Sequence, residues 1–347
     1  MDLRFTELLP VSQIVVNECL KVKPGEKVLL LTDTRAPDFY GVEPQAQALF
    51  ASLRLAGCDP ILMTWNTRAK HGMKVPVLAA EAIAGADVVI VSGTSHFIQD
   101  PAYYEAKKKG TRFMTMPQGL NVERVNDMIY RTMPQTVEEF RELAALTKRI
   151  GDAFIGGTRT IHVTTEKGTD VTLQITDELG QSVCTGECDK PGDGSFLPAG
   201  QFAFGVKPGS ANGTIVVDAS IHPIKHILTE PIVFEVKDNN IISVTGGEDA
   251  AAFRQVLAGC PYPGRTNVAE FGLGCNPITQ IIGNSFEDEC FYGSAHFGFG
   301  SNMGFGGDVF TDNFHCDGVF VNATIEVDGK VVCENGQFIP ELTDPTP

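Results

Sequence analysis

The chain has 347 residues, of which 43% are hydrophobic and 20% are charged, a balance typical of a folded protein. Its formal net charge of −16 would repel phosphate backbones, so nucleic acid is excluded as a predicted partner. No segment has the ~20 apolar residues of a membrane helix, the start lacks a signal peptide, and nine scattered cysteines fit free thiols, so we predict a cytoplasmic protein without a membrane partner.

Residues 1–150 alternate between helical patterns and apolar runs of strand length. The runs are KVLLLTD, DPILMTW, DVVIVSG and TRFMTMP. Fully apolar strands that alternate with helices are typical of a parallel sheet covered on both faces. We therefore predict an open α/β sheet domain over residues 1–150. No glycine fingerprint for a nucleotide follows any of these strands.

An amphipathic helix is predicted over residues 136–154. Thr136 and Glu139 have the spacing of a capping box, in which each side chain accepts a hydrogen bond from the backbone of the other residue. This helix would join the first domain to the second.

After this helix the pattern changes to strands of alternating polarity. TRTIHVTTEKGTDVTLQIT predicts a hairpin, a second strand pair is expected to turn at Asn239 and Asn240, and EDAAAFRQVLAGC predicts a helix. Asp328 and Gly329 are typical of the tight turn of a closing hairpin. We predict a mixed, strand-rich α+β domain over residues 151–347, so the fold class is α/β with two domains.

Residues that can bind a metal ion lie in three segments of this second domain. The segment NFHCDG contains His315 and Asp317, which point to the same side if the segment is a strand. Glu270 lies in NVAEFGLGCNP and His296 in a stretch rich in glycine and phenylalanine. Two imidazoles and two carboxylates suit zinc, iron, manganese or cobalt. From spacing alone, buried histidines with carboxylate partners are favoured over metal ligands.

Four segments of this half resemble the thermophilic metalloaminopeptidases, the aminopeptidase T and S family. They are FLPAGQFAFGVKPGSANGTIVVDASI, AEFGLGCNP, GSAHFGFGSN and FHCDGVF, and they occur in the family's order. The resemblance also covers the first domain, more faintly. It implies that Glu270, His296, His315 and Asp317 are metal ligands.

Two positions depart from that family. Gln201 stands where the resemblance expects a ligand glutamate, and Met303 stands where it expects a catalytic tyrosine. An amide is a poorer ligand than a carboxylate, and a thioether cannot donate a proton. We therefore predict one divalent metal ion per chain (zinc, iron, manganese or cobalt) where the aminopeptidases hold two.

The chain also resembles 2,5-dihydroxypyridine 5,6-dioxygenase, a ring-opening enzyme with one non-haem iron. In that relative a histidine stands at the position of Glu270, so the resemblance implies a ligand set with one more carboxylate here. A facial ligand set with open positions is what oxygen activation needs.

Three functions follow as alternatives. The main prediction is a metal-dependent hydrolase acting on a small amide, a cyclic amide or a peptide amino terminus through a metal-activated water, with Glu270 also as the catalytic base. The first alternative is the ring-opening dioxygenase, and the second is a non-enzymatic binding protein on the same scaffold. A small-molecule substrate is predicted in the enzymatic cases. The resemblance implies a homo-oligomer, at least a dimer.

Other residues receive secondary predictions. Asp308 and Asp312 are candidates to orient His315, and the acidic cluster FEDEC at 286–290 is expected to face solvent. Four phenylalanines are either core residues or the wall of an aromatic pocket, namely Phe297, Phe299, Phe305 and Phe310. Metal binding is not expected for two further pairs, namely His222 with His226 and Cys184 with Cys188.

Overall fold

A computed structural model describes residues 3–34, 42–66, 74–93, 96–98, 100–117, 131–224, 226–312 and 314–344. The chain folds into two compact units, the first formed by Met1–Ala144 and Cys184–Ala199 and the second by Ala145–Val183 and Gly200–Pro347. The predicted division after residue 150 uses one boundary, whereas here the chain returns once to the first unit.

The described residues form the following helices and strands. The helices are α1 Leu3–Ile14, α2 Val42–Leu55, α3 Val77–Ala84, α4 Pro101–Lys108, α5 Val137–Asp152, α6 Glu248–Gly259, α7 Ser285–Asp288 and α8 Pro340–Thr343. The strands are β1 Val28–Asp33, β2 Ile61–Trp65, β3 Val88–Gly93, β4 Arg112–Pro117, β5 Arg159–Thr164, β6 Asp170–Ile175, β7 Gln181–Cys184, β8 Gly194–Phe196, β9 Gln201–Gly205, β10 Asn212–Val217, β11 Ser220–Ile221, β12 Ile232–Lys237, β13 Asn240–Thr245, β14 Val268–Gly274, β15 Ala295–Gly300, β16 His315–Phe320, β17 Thr324–Val327, β18 Lys330–Glu334 and β19 Gln337–Phe338.

The first unit contains a parallel sheet with the strand order β2-β1-β3-β4-β8 among the described residues. Every residue of β1 and of β3 is buried, which explains why these strands are mostly apolar. The predicted open parallel sheet is thus confirmed. The strand β8 was not predicted, because three residues are too few to show a period.

The second unit contains two antiparallel sheets within the part of the chain that the structure describes. One has the order β13-β12-β10-β6-β5-β17-β18-β19 and the other has the order β11-β16-β15-β14-β9-β7. The first includes the predicted hairpins β5-β6 and β17-β18. The predicted fold class, with a parallel sheet first and a strand-rich mixed part second, is confirmed.

Two turns and one helix test the local predictions. Asp328 and Gly329 have φ of 51° and 77°, as the predicted hairpin turn requires. The turn between β12 and β13 was placed one residue too far along, because Asp238 and Asn239 have positive φ while Asn240 already belongs to the strand.

The helix α5 begins with the predicted capping box. The backbone N–H of Glu139 donates to Thr136 Oγ1 at 3.2 Å, and the backbone N–H of Thr136 donates to Glu139 Oε2 at 3.1 Å. None of the helices in the described segments is both long and apolar enough to cross a membrane.

Candidate metal site

The predicted ligands lie on three neighbouring strands of the six-stranded sheet, β14, β15 and β16. Gly298 at the centre of β15 lies opposite Glu270 on one side and opposite Asp317 on the other, while His315 lies opposite Gly300. Residues directly opposite each other in an antiparallel pair point to the same face. The side chains of Glu270, His315 and Asp317 therefore share one face of the sheet, which we call the ligand face. The spacing of two residues predicted a shared face for His315 and Asp317.

A β-bulge in β14 places Glu270 on this face. Val268 lies opposite Phe299, whereas Glu270 lies opposite Gly298, so two steps along β14 match one step along β15 and Ala269 is the extra residue. Val268 and Phe299 are both in the core. Without the extra residue, Glu270 would share the core side with Val268, because the side-chain period of a strand is two.

Three side chains converge on one point of the ligand face. His315 Nε2 lies 2.9 Å from Glu270 Oε2 and 3.1 Å from Asp317 Oδ1. One ligand atom from each of these residues lies within 4.8 Å of the other two. The three side chains are 13–22% exposed, so the cluster is partly accessible to solvent.

His296 lies next to this cluster and contacts Glu270. Its side chain is fully buried, and its Nε2 is 3.4 Å from Glu270 Oε1, the carboxylate oxygen that does not contact His315. Within the described residues its Nδ1 has no hydrogen-bond partner. His296 thus contacts Glu270 from the side opposite to His315, and its predicted role as a direct metal ligand stays a prediction.

The second ring nitrogen of His315 fixes the orientation of the ring. Nδ1 lies 3.0 Å from the carbonyl oxygen of Ser301, which can only accept, so Nδ1 carries a hydrogen and donates it. This leaves Nε2 as the nitrogen that faces the two carboxylates. An N–H held by a backbone carbonyl is the usual arrangement behind a metal-binding histidine.

The predicted role of Asp308 and Asp312 in orienting His315 is wrong. Both side chains are exposed, and the partner of His315 Nδ1 is the carbonyl of Ser301 instead. A backbone partner of this kind leaves no trace in the side-chain sequence, so the sequence could not have revealed it.

The electrostatics of the cluster favour two anions and one cation. Burial alone would raise the pKa of Glu270, but hydrogen bonds from His296 and His315 outweigh it and lower that pKa to about 2. Burial lowers the pKa of His315, but Asp317 and then Glu270 outweigh it and raise that pKa well above its ordinary value. A positive charge between the carboxylates is therefore strongly favoured.

The donor atoms fit a divalent ion in place of the proton. Two ligand atoms about 2.1 Å from one ion lie about 3.0 Å apart if the bonds are at right angles and about 3.4 Å apart if they are tetrahedral. The observed separations of 2.9 and 3.1 Å match the right-angled case. Apart from His315 Nε2 at 3.1 Å, Asp317 Oδ1 has no hydrogen-bond donor among the described residues, so an ion in place of the proton would satisfy it.

The acidic cluster at 286–290 does not face solvent as predicted. Glu287 and Asp288 are fully buried and Glu289 is 8% exposed. The carboxylate of Asp288 accepts hydrogen bonds at 2.7 and 3.0 Å from backbone N–H groups of the loop 280–283. These backbone donors offset part of the cost of burying the carboxylate, and they are invisible in the sequence.

Glu289 is a third carboxyl group near the cluster, although its segment 286–290 was predicted to face solvent. Burial, then the charges of Asp317 and Glu270, raise the pKa of Glu289 well above its ordinary value. The helix α7 that precedes it packs against β16. A neutral carboxylic acid beside two carboxylates can donate a hydrogen bond, which neither of them can do.

The four phenylalanines have three different environments. Phe297 and Phe299 are fully buried in the core, whereas Phe310 is 57% exposed. Phe305 lies over Gly205, which is directly opposite Glu270 on the neighbouring strand. The Cβ of Phe305 is 2.9 Å from the position that a Cβ of Gly205 would occupy. An aromatic wall made by all four residues is therefore wrong.

The other residues considered from the sequence lie away from the cluster. Gln201 lies opposite Gly274, on the ligand face but further along the sheet than Glu270, and Met303 is 48% exposed in a short turn. His226 pairs with Asp249 at 2.9 Å.

The thiols of Cys184 and Cys188 donate to backbone carbonyls, as expected of structural cysteines. The nine cysteines are all free and buried.

Comparison with known proteins gives a consistent result. A family model described as NicX, 2,5-dihydroxypyridine 5,6-dioxygenase, matches residues 8–340. The 2,5-dihydroxypyridine 5,6-dioxygenase of Pseudomonas putida KT2440 is 27% identical over 275 residues, which cover 75% of this chain and 73% of the relative.

Two solved structures share the fold. The 2,5-dihydroxypyridine dioxygenase from Pseudomonas putida KT2440 has a TM-score of 0.78 at 21% identity, covering 98% of this chain and 99% of the other. Wild-type AmpT from Thermus thermophilus has a TM-score of 0.64 at 12% identity, covering 96% and 99%. The prediction of an enzyme related to one of these two classes is confirmed. The match over residues 8–340 shows that the chain belongs to the NicX family, 2,5-dihydroxypyridine 5,6-dioxygenase.

Proposed function

We propose that this chain is a ring-opening dioxygenase that uses one divalent iron ion, held by Glu270, His315 and Asp317, to act on a hydroxylated aromatic ring. The observation that carries the proposal is the convergence of these three side chains on one face of a sheet, with one ligand atom of each within 4.8 Å of the others and His315 Nε2 at 2.9 and 3.1 Å from the two carboxylates. Membership of the NicX family supports the reaction class. The main prediction from the sequence, a hydrolase, is supported by the fold shared with AmpT and by the carboxylate of Glu270.

The charges of the cluster suit a doubly charged ion. Glu270 and Asp317 supply two negative charges, and His315 is a neutral ligand once its Nε2 proton has left. The three side chains and a divalent ion then sum to zero net charge, which removes the penalty of two buried carboxylates side by side.

When bound, the ion would supply open coordination positions for oxygen activation and for a hydroxylated ring. The residues around the site hold the ligand side chains in position. His315 is held by Ser301, so its Nε2 keeps one direction, and Glu270 is held on its far oxygen by His296. Burial and then the charges of Asp317 and Glu270 raise the pKa of Glu289, which favours a protonated carboxyl group beside the cluster.

The hydrolase remains a second candidate because of Glu270. A carboxylate at this position, where the dioxygenase relative has a histidine, is the ligand type of the aminopeptidases. A Glu270→His variant separates the two functions. If the chain is a dioxygenase, the variant keeps iron and ring opening; if Glu270 is the base of a hydrolase, the variant loses hydrolysis.

Several properties accompany this proposal. We propose a small-molecule substrate, a homo-oligomer of at least two chains, a cytoplasmic location, and no nucleic-acid or membrane partner. The formal net charge of −16 supports the last point for nucleic acids. A non-enzymatic binding protein is the alternative if the purified chain carries no metal ion.

The test is turnover with and without oxygen. The chain is loaded with Fe²⁺ under argon, 2,5-dihydroxypyridine is added, and oxygen uptake is followed after air is admitted. We expect oxygen consumption that matches substrate loss one to one and is absent in His315→Ala. Activity on peptides or amides with Zn²⁺ or Mn²⁺ under argon, without oxygen uptake on the pyridine, would overturn the proposal in favour of the hydrolase.

A further inference from the structure

Gly298 lies at the centre of the candidate metal site, opposite both Glu270 and Asp317. A Cβ atom built on Gly298 would lie 2.7 Å from both Cε1 and Nε2 of His315 and 2.8 Å from Cβ of Glu270. Its backbone is not in the left-handed region that favours glycine. The absence of a side chain at this position is therefore required by its neighbours and not by its own conformation.

The imidazole ring of His315 occupies the space that the side chain of residue 298 would fill. Side chains directly opposite each other on neighbouring strands have Cβ atoms ~4.5–5.5 Å apart, so a residue between Glu270 and Asp317 would normally separate them. Here the ring lies over Gly298, and its Nε2 is 2.9 Å from the carboxylate of Glu270 and 3.1 Å from that of Asp317.

Gly272 has the same relation to His296. A Cβ on Gly272 would lie 2.3 Å from Nε2 and 2.4 Å from Cε1 of that ring. Both glycines lie on the ligand face, each beneath one histidine. The same arrangement, an imidazole ring over a glycine, therefore occurs twice on adjacent strands. Its repetition indicates that the sheet needs a glycine beneath each ring.

We propose that Gly298 is a positioning residue of the metal site: its missing side chain sets the distance of His315 from Glu270 and thereby the affinity for the ion. The inference rests on the proposed metal role of His315 and Glu270. It assigns to a residue without functional groups a part in metal binding that acts through another residue.

The first experiment compares Gly298→Ala with Gly304→Ala by titration of the metal-free chain with Co²⁺, followed through the visible absorption of the ion. A Cβ on Gly304 would have no atom within 4 Å, so this variant is a matched control. We expect Gly298→Ala to weaken Co²⁺ binding at least tenfold and to change the absorption spectrum, because displaced ligands alter the coordination. Gly304→Ala should behave as the wild type.

The second experiment measures the thermal midpoint of the metal-free chain in a double-variant cycle of Gly298→Ala and His315→Ala. If the new methyl group collides with the ring, removal of the ring should relieve much of the loss caused by Gly298→Ala. The same result is expected as recovered folding if Gly298→Ala alone does not fold. Independent losses that simply add would overturn the proposal.

The two proposals fail in different ways. If the wild type binds no Co²⁺, the proposed function fails and the cycle still decides the steric part of the inference. If the wild type binds Co²⁺ and Gly298→Ala binds it equally well with an unchanged spectrum, only the role of Gly298 is overturned.

Discussion

The two faces of the six-stranded sheet are built from alternate residues of the same strands and have opposite chemistry. The ligand face carries Glu270, His296, His315 and Asp317 among glycines. The other face carries phenylalanines that pack in the core, namely Phe202, Phe204, Phe271, Phe297, Phe299 and Phe320. Phe297 stacks on Phe320 at 5.7 Å and contacts Phe271 at 5.3 Å.

The contrast between the two faces shows how ligand side chains can be held in position without large side chains around them. The aromatic face anchors each strand through burial, so the ligand face does not need large side chains for stability. Glycines on that face leave room for the imidazole rings. Substitutions of the ligands should therefore change metal binding above all, whereas substitutions on the aromatic face should change stability and leave metal binding in place.

The largest effect is expected from the ligand face of β16. Asp317→Ala leaves His315 with a single carboxylate partner, and we expect metal binding to weaken by more than ~100-fold, with loss of turnover. Metal content per chain after dialysis is the measurement. The matched control is Cys316→Ala, one residue away on the core side and 3% exposed. It should keep the metal and lose about 1 kcal/mol of unfolding free energy. Loss of metal in Cys316→Ala would break the separation of the two faces.

The core face should give the opposite result. Phe297→Ala removes a fully buried ring that contacts two other rings, and we expect a loss of about 3–5 kcal/mol in the free energy of unfolding. Chemical denaturation followed by fluorescence measures it. The folded fraction should still bind the ion, since Phe297 points away from the ligands. Phe297→Leu, with a smaller cavity, should lose less.

Those parts of the site that follow strand periodicity could be predicted from the sequence. His315 and Asp317 share a face because a spacing of two in a strand guarantees it. The apolar runs of β1 and β3 predicted a sheet buried on both sides for the same kind of reason.

What could not be predicted depends on backbone contacts. Glu270 reaches the ligand face only through the bulge at Ala269, and one extra residue in a strand leaves no pattern of its own. Ser301 holds His315 through a carbonyl, which every residue type has. Gly298 was noted only as one of many glycines, since its importance comes from a ring on a neighbouring strand.

The buried acids next to the site also depend on backbone contacts that the sequence does not show. One of them, Asp288, allows a further test with a smaller expected effect. Burial raises the pKa of Asp288 from 3.8 to about 6, although two backbone N–H groups and Ser220 act in the opposite direction. Because the folded-state pKa lies above the unfolded value, the folded state binds a proton more tightly. The contribution of Asp288 to stability is therefore fully present below pH ~4 and is lost as the pH rises through ~6.

The test compares the wild type with Asp288→Asn, which cannot titrate. Between pH 7.5 and pH 4.5 we expect the wild type to gain about 2 kcal/mol of unfolding free energy relative to the variant. The measurement is urea denaturation at each pH, on the metal-free protein so that the ion does not mask the change. Parallel curves for the two proteins would mean that Asp288 is ionised equally in the folded and unfolded states. In that case the backbone donors of the 280–283 loop fully compensate its burial, and the stability of this segment would be as insensitive to pH as that of the aromatic core.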